Sequence, residues 1–185
     1  MRRCLDALYN ATLWLSALCL VLIAVLVGLQ IGGRLVDGAL KLLGLPVTGF
    51  QILSLAEIAG YLLAAASFLA LAGTLKGGAH IRVTMLLSAF SESRRRYLEI
   101  LAFAVASIAS AYMTWSIAQF AWYSFLFNEV SYGVVRVQLG YPQAVMAVGA
   151  AVLTIALFDE LAIVIGRGRP TFRSVEDAIT LGKEG

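Results

Sequence analysis

The sequence predicts an all-α integral membrane protein: four transmembrane helices with short interfacial amphipathic helices between them, both termini cytoplasmic. Three observations carry this. Hydrophobic residues make up 61% of the 185 residues and charged ones 14%, whereas soluble domains hold about 45–50% and roughly 25%. With a mean hydropathy of +0.87, so few charges cannot cover a surface facing water, and lipid must cover much of it. The charges also gather between four long uncharged stretches, and lysines and arginines favour alternate connections.

The first stretch holds 27 uncharged residues between Asp6 and Arg34. It is longer than the roughly 7–15 apolar residues of a signal-peptide core and lacks a convincing small-residue cleavage site, so it is expected to stay as a span over about residues 11–33. Next, Leu35, Ala39, Leu42 and Leu43 fall on one side of a helix and Arg34, Asp37 and Lys41 on the other, ending at Pro46. That pattern predicts a short helix in the outer interface over Arg34 to Leu45. The second stretch, Ile58 to Leu75, has 18 residues. This is the lower limit for a crossing, so the span is placed at 51–75.

On the inner side Ile81, Met85, Leu86, Ala89 and Phe90 oppose Thr84, Ser88, Ser91 and Glu92, a second interfacial helix. The third stretch has 29 uncharged residues between Glu99 and Glu129. As one helix it would measure about 43 Å against a roughly 30 Å hydrocarbon core, so the span at 98–126 must tilt or protrude. The fourth is placed at 138–160, with Pro142 in a first turn that tolerates its missing amide hydrogen. Residues 1–166 form the membrane domain and 167–185 a polar cytoplasmic tail. Strands are not expected, because no run alternates apolar and polar residues.

Orientation follows from the excess of lysine and arginine in cytoplasmic loops. With both termini inside, eleven of the fourteen lie inside: Arg2, Arg3, Lys76, Arg82, Arg94, Arg95, Arg96, Arg167, Arg169, Arg173 and Lys183. Only Arg34, Lys41 and Arg136 lie outside. The net charge of +3 thus expresses topology, and no basic and aromatic patch suggests nucleic acid.

The spans carry no ionisable group near the midplane, where such groups mark ion and proton pathways. Gln30 and Gln119 are expected to make interhelical hydrogen bonds. Cys4, Cys19 and the single His80 cannot form a Cys/His zinc site or a bis-histidine haem within one chain, so no cofactor is expected. The GxSxG, HExxH and Walker patterns are absent, which speaks against an enzyme. The helix faces are more informative. Tyr112, Trp115, Gln119 and Trp122 share one stripe of the third helix, while Ala102, Ala106 and Ser110 line another. Tyr112 and Trp115 lie too deep for the interfacial aromatic belt, so a protein partner is expected on that stripe. Gly28 and Gly32 form a GxxxG pair in the first helix.

Certain residues carry a family resemblance. The segment Gly77-Gly78-Ala79-His80-Ile81-Arg82-Val83 resembles the G-x-H-I-R-V signature of the small, DctQ-like membrane subunit of tripartite ATP-independent periplasmic (TRAP) transporters. Glu57 matches a glutamate of that family. The segments Glu129-Val130-Ser131-Tyr132-Gly133 and Tyr141-Pro142-Gln143 with Gly149 resemble its passage into the last helix. Thr84 departs from the family's common aspartate. The resemblance implies a sodium-coupled importer of an organic acid in the bacterial inner membrane, in which a periplasmic binding protein delivers solute to a large elevator-type subunit. This chain would brace the large subunit. Partner or lipid contacts are then expected at Glu57, His80, Arg82, Tyr112, Trp115, Trp122, Glu129 and Arg136, the last two in an outer loop where the binding protein docks. The competing readings are a self-contained small transporter or channel, and a membrane enzyme.

Overall fold

A computed structural model describes residues 2–77 and 92–167. They form four helices: α1 (Arg2–Leu42), α2 (Leu55–Lys76), α3 (Glu92–Leu126) and α4 (Gly140–Arg167). Each contains a stretch long and apolar enough to cross a membrane, and no strand occurs among the described residues. The inner interfacial helix expected after Ile81 and the tail from residue 168 lie outside the described residues.

The outer interfacial helix is not a separate element. Arg34, Asp37 and Lys41 interrupt the apolar run but not the helix, and α1 continues as 41 residues to Leu42, about 60 Å at 1.5 Å per residue. What stops it is backbone chemistry. Gly44 takes φ +68°, Gly44 N donates to Lys41 O (3.2 Å) and Leu45 N to Leu40 O (2.9 Å). This is a Schellman ending, in which a left-handed residue turns the chain and satisfies the last carbonyls; Pro46 follows. α3 ends the same way. There Asn128, at φ +50°, takes the left-handed position, Asn128 N donates to Phe125 O (3.4 Å) and Glu129 N to Ser124 O (3.0 Å).

The helices stand in a row. α1 packs on α2, α2 on α4 and α4 on α3, while α1 touches α4 only marginally. The buried share of each apolar stretch agrees: 39% in α4 and 28% in α2, but 17% in α1 and 11% in α3. Small residues make the central contacts close. Ala72 and Ala156 are fully buried beside Tyr9, Leu75, Val152 and Leu157, and Cys19 packs with Ala65 and Ala66 between α1 and α2.

Buried hydroxyls tie the neighbours, as expected where lipid cannot satisfy a polar group. Ser16 Oγ donates to Ala66 O across α1 and α2 (2.8 Å). Between α3 and α4, Ser110 Oγ and Thr154 Oγ1 lie 2.8 Å apart and Thr114 Oγ1 lies 3.0 Å from the same Thr154 oxygen. The small-residue line expected on α3 is correct in Ala106 and Ser110, which turn to α4, but Ala102 is exposed. The buried seam instead runs through Ser107, Ser110, Ala121 and Ser124, positions spaced for one face of a helix.

Candidate functional site

Three surfaces carry the chemistry, and the first is at the end of the row that holds the α1–α2 and α3–α4 connections. Between α3 and α4 the chain makes a narrow turn whose two arms pair at a single bridge. Ser131 N donates to Val137 O (2.8 Å) and Leu139 N to Glu129 O (2.9 Å), around the antiparallel bridge of Val130 with Gln138. This turn is clasped to the head of α2. Glu57, in the first turn, is well placed for a carboxylate because the exposed amides there carry partial positive charge.

Its Oε2 lies 3.3 Å from Ser131 Oγ, and its Oε1 lies 3.4 Å from Tyr61 OH. Ser131 Oγ is also 3.2 Å from Val135 O, and it accepts Val137 N–H at 3.2 Å. Ser54, held at φ +55° before α2, accepts Val135 N–H on its hydroxyl (3.0 Å). Gly133 sits so close to the Glu57 carboxylate that a β-carbon there would collide with it. Tyr132 and Val134 project outward, and Arg136 is exposed. Glu129 bonds within its own turn, accepting from Ser124 Oγ (2.7 Å).

The second surface is at the opposite end of the row. Lys76 Nζ, the last residue of α2, donates to Asp6 Oδ1 (2.7 Å), lies 3.7 Å from Asp159 Oδ2 and sits 4.5 Å above the Tyr9 ring. One ammonium thus links α1, α2 and α4. Glu160, next to Asp159, is buried, as is Glu99 on α3. Arg96 Nη2 donates to Ile165 O (2.8 Å), supplying a donor to the last turn of α4, where carbonyls lack helical partners.

The third surface is the outer face of α3. Tyr112 (73% exposed), Trp115 (64%) and Trp122 (69%) point away from α4. Gln119 lies on the same exposed face, which corrects the expectation that it bonds to another helix of this chain: the α3 seam points its buried residues the other way. Gln30 is buried, and its Oε1 accepts from Ile52 N (2.7 Å), so its partner is the returning outer loop. Nothing lies within 4 Å of a β-carbon built on Gly28 or Gly32, and that pair is open in this chain.

The structure therefore brings Glu57 into the outer loop that holds Glu129 and Arg136, and places Tyr112, Trp115 and Trp122 together on α3. His80 and Arg82 lie outside the described residues. The sequence did not reveal Ser54, Ser131 and Gly133 as partners of Glu57, nor Lys76 as an ion-pair centre. For Lys76 a signal existed: a lysine ending one span and an aspartate ending another at the same depth. Among the described residues no group of three or more His, Cys, Asp or Glu residues could hold a metal ion.

Four apolar crossing helices in a row, with charges confined to their ends, define a multi-pass, all-α membrane protein. The sequence model described as "Tripartite ATP-independent periplasmic transporters, DctQ component" matches residues 45–165, well over half of the chain. The chain belongs to that family, a family of transporter components and not of enzymes, and is a multi-pass protein of the inner membrane. No match was found among curated proteins or solved structures.

Proposed function

We propose that this chain is the small subunit that braces the large membrane subunit of a sodium-coupled importer, with an organic acid supplied by a periplasmic binding protein and both termini in the cytoplasm. The observation carrying this reading is the exposed face of α3 in a one-helix-thick row. Such a row has two edges, and they differ. At mid-depth the α1 edge presents Leu18, Val21, Leu22, Val25 and Leu29, aliphatic side chains that lipid tails solvate, and its exposed Trp14 lies near one end of the span, in reach of the interfacial aromatic belt. The α3 edge presents Tyr112, Trp115 and Gln119. Tyr112 and Trp115 lie about 20 Å or more along the helix from both Glu99 and Glu129, deep in the hydrocarbon, where a hydroxyl or indole N–H finds no acceptor in lipid. A neighbouring helix supplies such acceptors.

The binding of sodium and solute belongs, on this reading, to the large subunit. In support, Ser16, Ser110, Thr114 and Thr154, which lie between the helices, bond to one another or to backbone carbonyls.

Co-purification tests the bracing role. Trp115→Ala removes a large aromatic anchor of the kind whose loss costs about 2–4 kcal/mol at interface centres, and it should reduce recovery of the large subunit on a tagged small subunit. Full recovery with this variant and with a Tyr112→Ala/Trp115→Ala pair would refute α3 as the contact.

A further inference from the structure

We infer that Glu57 is a positioning residue: through Ser131 and Gly133 it fixes the outer turn so that Tyr132 and Val134 present a preformed contact to a soluble periplasmic protein, the solute-delivering partner. The inference rests on the proposed function for its partner and its sidedness.

The geometry separates the base of the turn from its tip. At the base, Ser131 and Val135 are tied to Glu57 and Ser54 (3.3 and 3.0 Å), two residues at the head of α2 and 74 and 81 positions away in sequence. Gly133 packs on the carboxylate with no room for a side chain. At the tip, Tyr132 is 104% exposed and Val134 77%, so the base is held while the apolar side chains reach outward. Folding alone gives no reason to spend a left-handed serine and a collision-tight glycine on a turn whose tip side chains, Tyr132 and Val134, stand clear of the described residues.

A fixed geometry helps recognition because a preordered loop loses less conformational entropy on binding. Lipid, being fluid, has no use for it. The surroundings also suit an aqueous protein interface, since the exposed apex is flanked by Asn128, Glu129, Arg136 and Gln138. Polar groups and charges of both signs around an aromatic centre form the usual rim of such contacts.

The test uses the assembled transporter in proteoliposomes, with uptake measured against the concentration of purified binding protein. Tyr132→Ala should raise the half-saturating concentration about tenfold while the maximal rate stays within about twofold. Glu57→Ala and Gly133→Ala should do the same, one by removing the anchor and the other by displacing it. Glu57→Gln keeps an acceptor at the same place and should restore near-normal half-saturation. An unchanged half-saturation in Tyr132→Ala and Glu57→Ala overturns the inference. So does a Glu57→Ala effect confined to maximal rate or to assembly, which would make Glu57 only structural. An apex seated in lipid would likewise leave half-saturation unmoved. Failure of the wild-type chain to co-purify with a large subunit would instead refute the proposed function, so the two readings fail separately.

Discussion

Gly149 offers a measurable check on the helix order. It is buried in α4, and a β-carbon built there would lie 2.6 Å from the Phe68 carbonyl carbon, 2.7 Å from its oxygen and 2.9 Å from Leu69 N. These are backbone atoms of α2 and cannot swing aside. Carbon atoms rest at about 3.5–4.0 Å, so Gly149→Ala must part α2 and α4 by about 1 Å. Overpacking of this kind costs about 1–3 kcal/mol. Alanine also gains about 1 kcal/mol over glycine in a helix interior, which would mask part of the cost. Gly28→Ala, where nothing lies within 4 Å, receives the same helical gain without the collision. The difference between the two variants therefore isolates the contact. At about 2–4 °C per kcal/mol for a chain of this size, Gly149→Ala should melt about 2–12 °C below Gly28→Ala, followed by helical circular dichroism of the purified chain in detergent. Equal melting temperatures would refute a close α2–α4 crossing at this position.

Three other outcomes follow from the ends of the row. Lys76→Met keeps the apolar stem but leaves Asp6 and Asp159 without their shared cation. Because Asp6 is half exposed, the cost should fall between exposed and buried pairs, about 1–3 kcal/mol, read as a lower melting temperature that added salt does not restore. For topology, single cysteines introduced after replacing Cys4 and Cys19 should react with an impermeant thiol reagent from outside at positions 44 and 134, and not at 93; labelling of 93 from outside would invert the proposed orientation. Position 134 serves better than 133, where any side chain meets Glu57. Finally, Arg136→Glu should slow uptake at limiting binding protein in a salt-sensitive way while leaving the complex assembled, since rim charges act mainly on encounter; identical uptake at low and high ionic strength would remove Arg136 from the docking surface.

The four crossings were legible because hydropathy accumulates over long windows. The helix ends were legible in part. Gly44 and Pro46 mark where α1 stops, yet the charges from Arg34 to Lys41 suggested a break that the backbone does not make, because charged residues continue a helix without strain. The order of the helices was not legible. In lipid the exposed face of a helix is apolar too, so hydropathy does not mark the packed face as it does in water: Ala102 is exposed while the less apolar Ser107 is buried. Of the two glutamines, Gln30 has a partner and Gln119 has none among the described residues, and the difference lies in the rotation of α1 and α3, which periodicity alone does not set. The clasp was hidden for another reason. Ser54 and Val135 are 81 residues apart, and a serine before a helix suggests an ordinary N-cap; here its side chain caps nothing and serves the distant turn instead.

A closed bundle holds each helix from several sides, whereas a row holds its end helices from one. α3 is 35 residues long, yet only 11% of its apolar stretch is buried, and all of that on the α4 side. The hydrophobic effect cannot hold it there, because lipid solvates a leucine as well as another helix does. Close packing on α4 and polar ties must therefore hold it, and the ties occur at three depths: the Glu57 and Ser54 clasp of the α3–α4 turn at one end, the Ser110, Thr114 and Thr154 hydroxyls in the middle, and Arg96 on the Ile165 carbonyl at the other end. Each joins neighbours in the row, and none joins α1 to α3. Polar ties at each depth thus help to keep a plate one helix thick, and Tyr112, Trp115 and Gln119 face outward at mid-depth on α3, the edge on which the proposed function places a second protein.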